Sequence, residues 1–202
     1  MTSLQERGRR MAALTRNVLL DLRYGEVLAV NFRPRDLVRK PDTHHRFVYH
    51  YNSDSEGLRR VFAGRIGPDD VLVDVGCGKG RVLNWWLAQG LRNRMIGLEL
   101  DADIAARTRA RLARHPNVEI ISGDAIANVP AEATILYLYN TLGADDMRAF
   151  KERLEQLRPA WRGQVFYYSC KELHVFEGDP RWQIERFDLS PYEPLAILRP
   201  VD

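Results

Sequence analysis

The sequence predicts an α/β fold: a mostly parallel sheet between two helical layers. Three observations point to it. From residue 71 onward, apolar runs of strand length alternate with longer runs of helical periodicity. Some of the strand-length runs are apolar almost throughout, as in Val71-Leu72-Val73 and Ala133–Leu138, which suits parallel strands covered on both faces. The first run closes in a glycine-rich turn, Gly76-x-Gly78-x-Gly80, and a helix-like run follows at once. Strand, glycine turn and helix together form a cradle for a nucleotide-like ligand. The glycines let the backbone approach closely, and the helix start offers free N–H groups.

The elements follow in order. Ser3-x-x-Glu6 reads as a capping box opening a helix over about 3–23, with Leu4, Met11, Leu14, Val18, Leu19 and Leu22 near helical spacing and expected to pack on the core. Pro34 and Pro41 break a less regular passage over 25–45, expected to be a lid or substrate wall. Ser53 or Asp54 can cap a helix carrying Leu58, Val61 and Phe62. A strand over 71–75 leads to the glycine turn and to a helix that stops at Gly90. A strand over Met95–Leu100 follows, then a helix opened by Asp101 and Asp103, whose basic end (Arg107, Arg109, Arg111, Arg114) suits a helix C-terminus. Val118, Ile120 and Ile121 make a third strand and Ala133–Tyr139 a fourth. Asp145-Asp146 open a helix through Met147, Phe150, Leu154 and Leu157, where capping explains the paired acids better than metal binding. Gln164–Ser169 reads as the fifth strand, and the runs from Trp182 and Pro194 read as a closing antiparallel pair. Loop 170–181 is a candidate substrate edge.

Composition bounds the function. At 202 residues, 28% charged and 45% hydrophobic, the chain is long enough for one full core and short for two. The expected division is an N-terminal helical extension over 1–52 and a core domain over 53–202. No apolar run reaches the length of a membrane span and no signal-peptide core opens the chain, so no membrane partner is expected. Two cysteines, Cys77 and Cys170, make no disulfide framework, which favours a cytoplasmic location. His44, His45 and His50 lack a completing acid or thiol and read as surface or structural, so no metal is expected. Residues 1–48 carry ten Arg/Lys against five acids, an excess that could meet an anionic partner or could simply be a solvated face.

The glycine spacing excludes two ligand classes. A dinucleotide turn wants Gly-x-Gly-x-x-Gly, and position 81 is Arg. A phosphate loop wants Lys-Ser or Lys-Thr after its second glycine, and none follows. What stands is Asp74-x-Gly76-x-Gly78-x-Gly80, and three further features follow it in order. Glu99 ends the next strand 19 residues after Gly80, where an acid accepts from ribose hydroxyls. Gly123-Asp124-Ala125 closes the third strand, and Tyr139-Asn140 closes the fourth.

This series resembles the class I S-adenosylmethionine-dependent methyltransferases. The resemblance implies the seven-stranded, Rossmann-like sheet of that family, with a C-terminal antiparallel hairpin and an N-terminal helical lid. It implies S-adenosyl-L-methionine as cofactor and S-adenosyl-L-homocysteine as product. The implied cofactor residues are Asp74, Gly76, Cys77, Gly78, Gly80, Arg81, Glu99, Leu100, Asp124, Ala125 and Tyr139, with Asp124 and the Ala125 amide at the adenine edge. Asn140 is expected to orient the acceptor, and Tyr139 with Tyr51 (or Tyr49) to shape its pocket. Lys79 and Arg81 could hold the methionine carboxylate or the edge of the N-terminal lid.

The acceptor is narrowed only by exclusion. Enzymes methylating adenine or cytosine N4 carry proline and an aromatic stacker after this Asn, whereas Thr141-Leu142-Gly143 stands here. That favours a protein side chain or small molecule as acceptor, with nucleic acid and a non-catalytic cofactor-binding subunit as alternatives. The chain is similar to small bacterial members of the family, and loosely to its non-SET protein lysine methyltransferases.

Overall fold

The computed structural model describes residues 3–24, 53, 55–139, 141–189 and 194–201. The 25–45 passage, Tyr49, Tyr51, the three neighbouring histidines and Asn140 lie outside the described residues, as do the side chains of Ser3 and Glu6.

Seven strands form one sheet in the order β3-β2-β1-β4-β5-β7-β6. They are β1 (Leu72–Val75), β2 (Met95–Glu99), β3 (Val118–Ser122), β4 (Ile135–Tyr139), β5 (Gln164–Tyr168), β6 (Trp182–Phe187) and β7 (Leu195–Pro200). The pairs among β1 to β5 are parallel. β7 runs antiparallel to both β5 and β6, so the C-terminal hairpin places its second strand inside the sheet. The helices are α1 (Ser3–Arg23), α2 (Ser55–Phe62), α3 (Arg81–Ala88), α4 (Ala102–Leu112) and α5 (Ala144–Gln156).

Alternation along the strands splits the core into two. Leu72, Met95, Ile135, Tyr137 and Phe166 face α2, α3 and α4. Val73, Ile96, Leu136, Leu138 and Val165 face α5. All four residues of β1 are buried, as its nearly unbroken apolar run requires. Phe62, at the end of α2, ties the first core together: the rings of Trp85, Trp86, Tyr137 and Phe166 all lie 5.3–5.7 Å from it.

Two expectations are corrected. Among the described residues of the apolar stripe of α1, Met11, Leu19 and Leu22 do not turn inward, being about 60% exposed, and Val18 is half-buried. The helix docks instead through Asn17, Leu20, Asp21 and Tyr24, which recur at helical spacing and bring polar groups to the joint. The Asn17 side-chain oxygen accepts from the Ser55 amide at 3.1 Å and its hydroxyl at 2.5 Å, so α1 caps α2. Asp145 and Asp146 do not cap α5. The N-cap is Gly143 with no side-chain bond, and the acids sit in the first turn, where they favour the helix dipole. Loop 170–181 is anchored against α5: Phe176 is fully buried, and Asp179 pairs with Lys151 of α5 at 2.5 Å.

Candidate functional site

The glycine turn leaves β1 at the carboxyl edge of the sheet and is held from three sides. From β2, the Leu98 carbonyl accepts from the amides of Gly76 and Cys77, both at 2.9 Å. From α4, the Thr108 hydroxyl donates to the Gly78 carbonyl at 3.1 Å, and the Arg111 guanidinium donates to that of Lys79. From the loop after β4, the Thr141 hydroxyl donates to the Val75 carbonyl at 3.1 Å.

Glycine is required at two places. Gly76 has φ +77°, and a Cβ there would lie 2.2 Å from the Thr141 methyl. Gly97 on β2 has ordinary φ, but a Cβ there would meet the Cys77 sulfur at 2.6 Å. The turn can therefore lie on β2 only because position 97 has no side chain.

Glu99 is the central side chain and is 7% exposed. Its Oε2 accepts from the Gly78 amide and its Oε1 from the Asp101 amide, both at 2.8 Å. One carboxylate thus bridges the glycine turn and the start of α4. Each oxygen keeps a second lone pair, so this geometry fits two donors from a ribose. Asp74 lies beneath it, buried, and desolvation with the nearby Glu99 charge pushes its carboxyl up to about 8. Cys77 is buried, and burial together with Asp74 and Glu99 holds its thiol well above the ordinary range, which rules out thiolate chemistry at neutral pH.

Arg81 opens α3 and is paired in the interior with Asp21 of α1 at 2.8 Å, the two side chains 4% and 0% exposed. This pair ties the start of α3 to the N-terminal helix. Arg111 reinforces the same joint. Besides the Lys79 carbonyl, it donates to the Tyr24 carbonyl at 2.9 Å and to the Asn84 side-chain oxygen at 3.1 Å. Asp21, Thr108, Arg111 and Thr141 were not singled out as site residues. No local signal marks them, because an arginine near a helix C-terminus is explained by the dipole alone.

The remaining expected residues lie around this edge. Leu100 is exposed just past β2. Asp124 is exposed and its Oδ1 accepts from the Ile126 amide at 2.9 Å, closing a turn that includes Ala125. Tyr139 ends β4 with its ring stacked on Tyr168 of β5, centroids 5.2 Å apart. The Thr141 hydroxyl lies 3.4 Å from the Tyr139 carbonyl.

The arrangement fits a nucleoside-containing ligand in several respects. The turn is open at Gly78, where a Cβ would meet nothing within 4 Å. The buried Glu99 carboxylate borders it with a lone pair to spare on each oxygen, and α3 starts without a side-chain cap. Among the described residues no group of His, Cys, Asp and Glu could hold a metal ion, and no helix is long and apolar enough to cross a membrane.

Comparison with known proteins agrees. Residues 72–160 match the family model described as "Methyltransferase domain". The ribosomal RNA small subunit methyltransferase A of Synechococcus sp. (strain RCC307) is 34% identical over 83 residues, 41% of this chain and 30% of that protein. Its Thermotoga maritima counterpart is 33% identical over 84 residues, 41% of this chain and 29% of that protein. The chain therefore spans about a third of the length of these curated relatives. Among solved structures, an RNA methyltransferase from Salinibacter ruber in complex with S-adenosyl-L-homocysteine superposes with TM-score 0.57. That match is 22% identical and covers 72% of this chain and 90% of that one. A methyltransferase from Geobacter sulfurreducens gives TM-score 0.57 at 18% identity, covering 74% and 81%. At these identities the structural likeness speaks for the fold.

Proposed function

We propose that this chain, whose residues 72–160 match a methyltransferase domain model, is a class I S-adenosylmethionine-dependent methyltransferase that transfers a methyl group from S-adenosylmethionine to RNA. The observation that carries the cofactor half is Glu99. A buried carboxylate that braces the glycine turn, with lone pairs remaining for a ribose, stands on the strand next to β1. The acceptor half draws on the relatives matched over the core, which are named for ribosomal RNA. RNA accordingly replaces the protein or small-molecule acceptor expected from the residues after Asn140.

When bound, S-adenosylmethionine supplies a methyl group made electrophilic by its sulfonium. The protein's task is to hold an acceptor atom in line with that methyl and to exclude water. In this reading Glu99 accepts from the ribose hydroxyls. Asp124 and the Ala125 amide meet the adenine edge. Asn140 aims the acceptor's lone pair, and the Tyr139 ring, braced by Tyr168, forms one wall. An amide cannot serve as general base, so Asn140 orients rather than deprotonates.

Calorimetric titration with S-adenosylmethionine and S-adenosylhomocysteine tests the cofactor half. Both should bind, and Glu99→Gln should weaken both by about 1–3 kcal/mol. Gln keeps an acceptor for one of the Gly78 and Asp101 amides, whereas Ala leaves both without one. No heat from either ligand would overturn the reading. Transfer of tritiated methyl into fractionated cell extract tests the acceptor. Label should enter the RNA fraction, and label confined to protein or small molecules would refute RNA.

A further inference from the structure

The described surface sorts its arginines into two kinds. Over much of the molecule they face carboxylates: Arg94 lies between Glu119 and Glu132, Arg181 between Asp179 and Glu155, and Arg199 against Glu185. Where α1 meets α4 they do not. Arg16 and Arg23 stand seven residues apart on one face of α1, Arg107 and Arg111 stand at i and i+4 on one face of α4, and Arg114 follows in the turn just past α4. The two faces meet, because Arg114 donates to the Arg23 carbonyl at 3.0 Å and Arg111 to that of Tyr24. Arg16, Arg23, Arg107 and Arg114 are exposed, and none makes an ion pair. The acid nearest to them on α4, Asp103, stands one turn before Arg107 and is unpaired as well. Among the described exposed cations Arg92, Arg109 and Lys171 also lack a carboxylate; Arg109, on another face of α4, donates to the Ile120 carbonyl, and Arg92 and Lys171 lie on no helix.

We infer that this ridge of α1 and α4 is the docking surface for the phosphate backbone of the RNA. The inference rests on the RNA reading above and deepens it by saying where the polymer lies. Charge complementarity supports it: Arg16, Arg23, Arg107 and Arg114 are exposed cations with no carboxylate paired to them, and their mutual repulsion is relieved by a polyanion. Position supports it too. Arg111 reaches the Lys79 carbonyl, so the ridge runs beside the glycine turn. A strand bound there is held next to the methyl donor. Arginine suits the task, since its planar fork matches phosphate oxygens.

The test uses the full chain and a fluorescent small-subunit ribosomal RNA hairpin, with anisotropy read across a salt series. Wild type should bind with a log–log salt slope of magnitude about 2 or more, since each phosphate contact contributes about 0.7–0.9. In Arg16→Ser/Arg107→Ser the slope should fall by about 2, with RNA affinity reduced about equally for unrelated sequences. Neither side chain holds anything in the fold, so S-adenosylmethionine affinity should stay within twofold of wild type. A wild-type slope below 1, or a variant slope equal to wild type, would overturn the ridge. So would equal or tighter binding to phosphatidylglycerol vesicles or to polyglutamate. RNA binding without cofactor binding would instead strike the cofactor reading and leave the ridge standing, and the converse would do the reverse. Should the double variant not fold, the wild-type slope and the vesicle and polyglutamate competitions decide alone.

Discussion

Gly97 and Asp74 show how single atoms govern the turn. Gly97 has no conformational need to be glycine, yet a Cβ would drive into Cys77. Gly97→Ala is expected to cost about 1–3 kcal/mol by overpacking, read as a lower urea midpoint at unchanged slope. Cys77→Gly in the same chain should restore part of the loss, and no restoration would show that the clash lies elsewhere. Asp74 makes a pH prediction. Its carboxyl is raised to about 8 in the fold, from an ordinary value near 4. Between those values the folded state holds a proton that the unfolded state has lost, so stability falls as pH rises through that window. Asp74→Asn cannot lose the proton. The melting temperature of wild type relative to this variant should therefore drop from pH 5 to about 8 and level off above, and a constant difference across that window would refute the shift. At this scale the sequence was informative where function depends on spacing along the chain. Gly76, Gly78, Gly80 and Glu99 could be placed before any coordinates. Arg111 and Thr141 could not, because their roles depend on which carbonyl comes near in space.

Elements were legible wherever hydrophobic period and backbone chemistry agreed. Strand runs at 72–75, 95–99 and 135–139 could be read because parallel strands bury both faces. The existence of α1 was legible and its inward face was not. Periodicity marks apolar stripes, and α1 docks through a stripe of mixed character in which Asp21 is fully buried. Such a pair tests the docking energetically. Removing one partner of a buried ion pair leaves a stranded charge, so Asp21→Asn should destabilise by about 3–5 kcal/mol. Replacing both groups, as Asp21→Asn/Arg81→Met, should cost less than Asp21→Asn alone. Equilibrium urea unfolding of the four chains gives the coupling. A double variant as unstable as the sum of the singles would show that the contact between α1 and α3 does not depend on this pair.

At the scale of the molecule, the strand order decides where a ligand can lie. β1 has β2 on one side and β4 on the other, and the helices that follow β1 and β4 cover opposite faces. A crevice therefore opens at the carboxyl edge between them, and the glycine turn and the loop with Thr141 are its two lips. Arg111 links this crevice to a distant part of the chain. It bonds the turn at Lys79 and the end of α1 at Tyr24, so order imposed on the turn should reach α1. At a hundredfold excess over its dissociation constant, a ligand that binds only the native state stabilises it by about 2.7 kcal/mol. Hydrogen exchange with and without S-adenosylmethionine should then show slower exchange in 76–80 and 99–101, and also in the amide of Tyr24, which bonds the Asp21 carbonyl. Arg111→Lys keeps the charge and loses the fork, so it cannot hold both carbonyls as the guanidinium does. In that variant the ligand should still protect the turn while protection of Tyr24 fades. Protection at Tyr24 that survives Arg111→Lys undiminished, or that never appears in wild type, would mean that α1 is merely packed beside the site and not coupled to it.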